Sequence, residues 1–494
     1  MATVTHSKKA CAVNPLKMSA PIGAALAFLG LDKCLPLMHG SQGCTAFGLV
    51  LFVRHFRETI PLQTTAMNEV TTILGGLDNL EPAILNIYNR AHPEVIGICS
   101  TGLTETKGDD VDGYLKLIRK RHPELDDTAL VYVSTPDYQG AFQDGWGKAA
   151  TRILTTLCEP RPRTAWQVNV LPGCHLTVAD IEEIRETIES FGLYPIIAPD
   201  LSGSLDGHIP ETFLPTTLGG ASVEKIRSMG GSAITIAIGE QMRWAAEALQ
   251  EKTGVPFRMF DRLSGLQAND EFLQLLSELA KDEIPLNYRR QRSQLVDAML
   301  DAHFFCGGKK VAIGAEPDLL WQIGSLLTDL GCEIEAAVTT THSVLLERMA
   351  TEEVLIGDLE DLEQRAAGCD LMVTHSHGRQ AAERLGIPFL RMGIPMFDRL
   401  GAAHKLSVGY RGTRDLVFEL GNIFIDNLHH NHPDSWPLPD SPLPSPLPLV
   451  SPDCAALLPI PAGTLLAGAG EGDVGSLREL FVTGQDHAQA ETHH

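Results

Sequence analysis

The chain has 494 residues and a formal net charge of −23, because 62 Asp and Glu face only 39 Lys and Arg. This acidic balance argues against nucleic acid or an anionic membrane as the main partner, since both would be repelled. Hydrophobic residues make up 44% of the chain and charged residues 20%, which excludes a disordered chain. At roughly 150 residues per domain, the length predicts three domains.

Membrane spans and secretion signals leave recognisable apolar stretches. The apolar runs near 20–31 and 44–53 fall short of the ~20 residues that a spanning helix needs. The first ten residues lack the apolar region of a secretion signal. We therefore expect a soluble cytoplasmic protein.

Ten cysteines are scattered along the chain without a CxxC pair. Without a secretion signal we expect reduced thiols, most of them acting as small buried hydrophobic residues. Their spacing completes neither a metal site nor a cluster site. A cluster would therefore need ligands from another chain.

Apolar runs typical of strands alternate with helical patterns. Thr177, with Asp180 three residues later, is a predicted helix N-cap. In chain order the pattern predicts a strand over 94–99, a helix over 177–191, a strand over 194–198, one long helical stretch over 268–303, a strand over 310–314, a helix over 317–330, and strands over 333–338 and 370–374, then a helix over 379–385 and a strand over 387–391. This alternation predicts an α/β fold of doubly wound parallel sheets.

Breaks in the pattern near 162 and 305 divide the chain. They predict α/β domains over 1–162, 163–305 and 306–430. Residues 433–461 hold ten of the thirty prolines, so 431–494 is predicted to be an extended, flexible tail. We assign no chemistry to the tail.

Nucleotide-binding motifs are missing from the sequence. The turn after the predicted strand 310–314 reads GAEP over 314–317 instead of GxGxxG, and GxxxxGK[ST] does not occur. A nicotinamide enzyme and a P-loop NTPase are therefore both disfavoured.

Chemistry-bearing residues are densest at 39–58, where HGSQGC (39–44) precedes RHFRE (54–58). Cys44 would lie in a tight turn that opens a helix, where backbone N–H groups stabilise a thiolate. The alternative is a glycine-rich turn with a buried cysteine. Arg54, His55 and Arg57 could bind an anionic ligand or partner carboxylates, or form structural ion pairs.

Two histidine groups are weaker candidates for metal sites. His375 and His377 form an HxH at the end of a predicted strand, but no nearby ligand completes a site. His429, His430 and His432 precede the tail and fit a solvated face better than a metal site.

Several long strings resemble the nitrogenase component 1 family. They are VNPLKMSAPIGA at 13–24, HGSQGC at 39–44, RHFRE at 54–58, STGLTE at 100–105, RMGIPMFDR at 391–399 and GYRG at 409–412. The resemblance covers about residues 11–428 and implies three Rossmann-like domains. It is strongest to the β-type chains, namely the nitrogenase β subunit and its paralogue in the scaffold on which the iron–molybdenum cofactor is matured.

Departures from the catalytic β subunit distinguish between these two chains. That subunit holds the eight-iron P-cluster with three cysteines, and the matching positions here are Ser19, Cys44 and Gly102. Gly102 has no side chain, and Ser19 is a poor ligand for a soft metal. The resemblance therefore implies that Cys44 is the one metal-ligating residue. It would be a single ligand of an interface [4Fe-4S] cluster shared with the partner subunit.

The resemblance also implies the partners and the role. We expect a NifE-like subunit in an α2β2 heterotetramer, with transient contacts to the iron protein NifH, to NifB and to apo nitrogenase. The partner would hold most of the precursor cluster, which gains molybdenum and homocitrate before its transfer. This is a scaffold subunit without catalytic residues of its own. The alternative is a catalytic electron-transfer reductase subunit, either a divergent nitrogenase β chain or one of dark-operative protochlorophyllide reductase type.

Overall fold

Three parallel sheets organise residues 1–209 and 211–430, which the computed structural model describes. The predicted tail over 431–494 lies outside these residues. The strands are β1 (Thr3–His6), β2 (Cys34–His39), β3 (Gln63–Thr64), β4 (Val95–Ser100), β5 (Ala129–Val133), β6 (Pro160–Pro172), β7 (Tyr194–Ile197), β8 (Gly230–Ile238), β9 (Phe257–Phe260), β10 (Lys310–Gly314), β11 (Glu333–Thr339), β12 (Glu353–Ile356), β13 (Leu371–Thr374) and β14 (Phe389–Arg391).

Helices connect most of these strands. They are α1 (Ala20–Leu29), α2 (Gln42–Phe56), α3 (Glu69–Leu74), α4 (Leu77–Ala91), α5 (Gly102–Lys107), α6 (Val111–Arg121), α7 (Phe142–Leu157), α8 (Val178–Glu189), α9 (Val223–Ser228), α10 (Arg243–Thr253), α11 (Leu266–Ala280), α12 (Leu286–Cys306), α13 (Pro317–Asp329), α14 (Leu359–Arg365), α15 (Arg379–Leu385) and α16 (Gly409–His430). None of the described helices is long and apolar enough to cross a membrane.

The first sheet has the strand order β3-β2-β4-β5. Both faces of β4 are buried: Ile96 and Ile98 pack with the side chains of α4 and α6, whereas Val95 and Cys99 join the main core. This two-sided burial explains why the strand is continuously apolar in the sequence. The parallel arrangement brings the segments that follow β2, β4 and β5 to one edge of the sheet.

The second sheet has the order β7-β6-β8-β9, and the third has the order β1-β12-β11-β10-β13-β14. The predicted N-cap of α8 is confirmed, because the Thr177 hydroxyl accepts from the Asp180 N–H at 3.1 Å and the Asp180 carboxylate accepts from the Thr177 N–H at 3.0 Å. The α/β class with parallel sheets is likewise confirmed. No pattern in the sequence indicates that β1 pairs with β12, about 350 residues later in the chain, as the structure shows. The domain boundaries at 162 and 305 stay predictions.

The single helical stretch predicted over 268–303 is wrong, because two helices occupy it. The first ends at Lys281, whose φ of 57° is left-handed, and the second begins after Pro285. A left-handed residue ends the hydrogen-bond ladder of a helix, and proline has no N–H to continue it. Only Pro285 was visible in the sequence, because a lysine does not signal a left-handed conformation.

Helix α1 directly precedes β2 of the first sheet, and all ten of its residues are buried. It packs against α7 at two glycines. A Cβ at Gly23 would lie 1.8 Å from the Phe142 carbonyl oxygen, and one at Gly145 would lie 1.8 Å from the Ala20 carbonyl oxygen. The close contact of these backbones holds Ser19, which immediately precedes α1, beside the first sheet.

Candidate functional site

Cys44 lies in the first turn of α2, which begins at Gln42 directly after the extended residue Ser41. The turn predicted at HGSQGC is therefore confirmed. The thiol is half-buried, and its Sγ lies 3.5 Å from the Ser41 hydroxyl. His39, at the end of β2, is fully buried, and burial lowers its pKa to about 4.

An open pocket of about 310 Å³ surrounds the Cys44 thiol. Ser19 and Asp137 contribute its polar side chains, and Phe47, one turn further along α2, is 63% exposed at its edge. The full lining is Ser19, Ile22, Met38, Gly43, Cys44, Phe47 and Asp137. The thiol is therefore accessible, in an open and partly apolar pocket.

The three positions that resemble P-cluster ligand positions converge here. Ser19 and Cys44 line the pocket together, and the N–H of Gly102 donates to Oδ2 of Asp137, another lining residue, at 2.9 Å. Gly102 follows β4, as Cys44 follows β2, so the parallel sheet places both at the same edge. Residues that are distant in sequence thus form one site.

The donor set of the pocket fits one edge of a shared cluster. It offers one thiol, one hydroxyl and one carboxylate, and thiolate is the ligand that iron–sulfur clusters use. Among the described residues, no group of three or more His, Cys, Asp and Glu side chains could hold a metal ion. Cys44 would be the ligand from this chain, and the other thiolates would come from a partner.

Asp137 is the pocket residue that the motifs did not reveal. It follows β5, whose carboxyl end lies at the same edge as those of β2 and β4. In α/β sheets ligands bind at the carboxyl ends of strands, so the loop after β5 was a detectable candidate.

The other cysteines agree with the expectation of buried hydrophobic residues. Seven of the nine described cysteines are buried, whereas Cys44 is half-buried and Cys11 is exposed. Cys454 lies outside the described residues.

The HxH pair serves the packing of the third sheet. Nε2 of His375 donates to the Leu16 carbonyl at 3.2 Å, and its Nδ1 accepts from the His377 N–H at 3.4 Å. Both ring nitrogens are occupied, and burial lowers the pKa of His375 to about 4. The structure therefore favours the structural interpretation of this pair.

The RHFR string contacts the loop that follows β14. Nδ1 of His55 accepts from the Met396 N–H at 2.9 Å, and Arg57 donates to the Phe397 carbonyl at 2.8 Å. The Arg54 guanidinium lies 4.4 Å from the centre of the Phe397 ring. Arg54, His55 and Arg57 thus each contact the loop that follows β14. The side chains of His429, His430 and His432 lie outside the described part of the chain.

A large cavity in the described part of the chain lies at the opposite end of α2. Its volume is about 730 Å³, and its polar lining includes Arg57, Glu58, His208 and His404. Exposed apolar side chains, among them Phe213 and Leu400, surround it. Cys44 does not line this cavity.

Comparisons with known proteins show the family of the chain. The family model for nitrogenase component 1 type oxidoreductases matches residues 19–425. The "nitrogenase iron-molybdenum cofactor biosynthesis protein NifN" of Bradyrhizobium diazoefficiens is 61% identical, over 88% of this chain and 95% of that protein. The protein of the same name from a Nostoc species is 51% identical, over 86% and 96%.

A solved structure, "Nitrogenase Cp1 at pH 6.5", superposes with a TM-score of 0.82 and 31% identity, over 86% of this chain and 96% of that one. The similarity therefore extends over nearly the whole length of the relatives. The chain belongs to the nitrogenase component 1 family, within its NifN group.

Proposed function

We propose that this chain is the NifN-type subunit of a scaffold on which the precursor of the nitrogenase iron–molybdenum cofactor gains molybdenum and homocitrate. Its partner is a NifE-like subunit in an α2β2 heterotetramer. NifH, NifB and apo nitrogenase bind transiently as the precursor arrives, matures and leaves. The names of relatives that are 61% and 51% identical assign those proteins to biosynthesis of the iron–molybdenum cofactor, which supports the proposal.

One observation carries the proposal. Of the three positions that resemble P-cluster ligand positions, only Cys44 has a thiol, and it opens into the pocket that Ser19 also lines. Such a pocket supports one edge of a [4Fe-4S] cluster shared with the partner. When bound, the cluster would supply electron transfer at the subunit interface. Cys44 would bind it, and Phe47 would exclude water from it.

The exposed face of α2 supports a partner at this position. Phe47, Val50 and Val53 lie about one turn apart and are 63%, 55% and 39% exposed. Large apolar side chains exposed in a row are typical of protein interfaces. A partner that covers them would bring its own ligands to the Cys44 pocket.

The catalytic alternative keeps one point in its favour, which is the 31% identity to a nitrogenase chain. A catalytic β chain needs two more thiols in this pocket, and Ser19 and Gly102 occupy those positions. We therefore retain the scaffold as the proposed function.

Cys44→Ala tests the proposal in the complex purified anaerobically with its partner. We expect it to abolish the [4Fe-4S] signal in electron paramagnetic resonance and to remove the corresponding iron, because the partner's thiolates alone leave the cluster one ligand short. The matched control is Cys11→Ala, since Cys11 is exposed and lies outside the pocket. A Cys44→Ala complex with an unchanged signal, or a parent complex with a P-cluster signature, would contradict the proposal.

A further inference from the structure

Asp137 is held beside Gly102 by the loop between β5 and α7. The Thr135 N–H donates to the Ser100 hydroxyl at 2.7 Å, and the Thr135 hydroxyl donates to the Ser100 carbonyl at 2.8 Å. Thr135 and Ser100 are both fully buried, so these bonds anchor the loop to the end of β4. Asp137, two residues further on, thereby lies over the first turn of α5.

The carboxylate of Asp137 occupies the space next to residue 102. It accepts the Gly102 N–H at 2.9 Å. A Cβ built on Gly102 would lie 3.0 Å from Asp137 Oδ2, which is tighter than usual, and 3.4 Å from its Cβ, which is ordinary contact. A cysteine at 102 would therefore require the Asp137 carboxylate to shift by a few tenths of an ångström.

We propose that Asp137 is a specificity-determining residue of the Cys44 pocket. Its carboxylate lies next to residue 102 and accepts the Gly102 N–H, so the pocket presents a carboxylate, and not a second thiol, beside Cys44. Since it lines the same pocket, the carboxylate also places a negative charge beside the cluster. That charge disfavours the reduced and more negative state of the cluster. The inference rests on the proposed function, because it concerns the same shared cluster.

A first test changes the charge and keeps the shape. Asp137→Asn retains an oxygen that accepts the Gly102 N–H, so the iron content of the heterotetramer should stay at the parent level. The midpoint potential of the cluster, measured by redox titration followed by electron paramagnetic resonance, should move to a more positive value. The matched control is Asp126→Asn, an exposed carboxylate away from the pocket, which should leave the potential unchanged. Equal potentials in Asp137→Asn and the parent would overturn the inference.

A second test changes the space between residue 102 and Asp137. Gly102→Cys alone should lower the iron content of the complex, because the new side chain crowds the Asp137 carboxylate at the edge of the pocket. Gly102→Cys combined with Asp137→Ala should restore the iron content. Parent-level iron in Gly102→Cys, or no recovery in the double variant, would overturn the inference.

The two proposals fail in different ways. A parent complex without a cluster, or with a cluster that does not depend on Cys44, overturns the proposed function and the inference together. A Cys44-dependent cluster that is indifferent to the Asp137 and Gly102 variants overturns the inference alone.

Discussion

The Cys44 pocket and the His375–His377 turn both place potential metal ligands at the end of a strand. The ligand atoms are hydrogen-bonded in the turn, whereas the sulfur in the pocket faces open space. Both follow the carboxyl end of a parallel strand, β2 in one case and β13 in the other. In the turn, the fold uses both ring nitrogens of His375 for hydrogen bonds. In the pocket, the Cys44 sulfur has only a 3.5 Å contact with the Ser41 hydroxyl and faces open space. A strand-end position thus identifies candidates, and the availability of lone pairs decides which of them can bind a metal.

The largest expected effect is a loss of unfolding free energy at low pH. It tests whether buried histidines such as His375 are held neutral by the fold. Burial lowers the pKa of His55 and His375 to about 4, against about 6.5 in the unfolded chain. Below pH 6.5 these histidines are therefore protonated in the unfolded chain but stay neutral in the folded one. Part of the unfolding free energy present at pH 7 is lost as the pH falls towards 4. The loss between pH 7 and pH 5 is on the order of 2 kcal/mol per histidine, and so about 4 kcal/mol for the two together.

Denaturant unfolding at pH 7 and pH 5 measures this loss, and His55→Gln and His375→Gln should each reduce it. Burial raises the pKa of Glu316 to about 8, which acts in the opposite direction, so the informative quantity is the difference between variant and parent. The control is His303→Gln, which changes an exposed histidine. Equal pH dependence in parent and buried-site variants would show that these imidazoles are not held neutral by burial.

A smaller effect should follow from His375→Ala at pH 7. The change leaves the Leu16 carbonyl without its donor in a buried position, which costs about 2 to 3 kcal/mol of unfolding free energy. The iron content of the complex should not change. His377→Ala, at the exposed neighbour, is the control and should cost less. Iron loss in His375→Ala would restore a metal role for the HxH pair.

The sequence predicted the elements whose pattern is local and missed those that depend on distant partners. Strand β10 and helix α15 have the predicted bounds, because a buried strand and a short amphipathic helix are visible in adjacent residues. Strand β1 pairs with residues 353–356, which no local pattern indicates.

The residues of the candidate site also differ in how far the sequence predicted them. Cys44 was predictable from its motif and from the resemblance. The position of Asp137 depends on the bonds of Thr135 to Ser100, which join a loop to the end of a strand 35 residues earlier. The resemblance indicated the ligand positions, and the tertiary contacts show that Asp137 lies next to one of them, Gly102.

The smallest effect concerns Arg54, for which the sequence left a structural contact and a binding role open. Its guanidinium lies over the Phe397 ring at 4.4 Å, and an exposed cation–π contact contributes about 0.5 to 1 kcal/mol. A double-mutant cycle of Arg54→Ala and Phe397→Leu should therefore give a coupling energy of this size in denaturant unfolding. If the coupling is absent and Arg54→Ala instead weakens assembly with the partner, the guanidinium binds partner carboxylates. In that case α2 would carry interface contacts from Cys44 to its last turn.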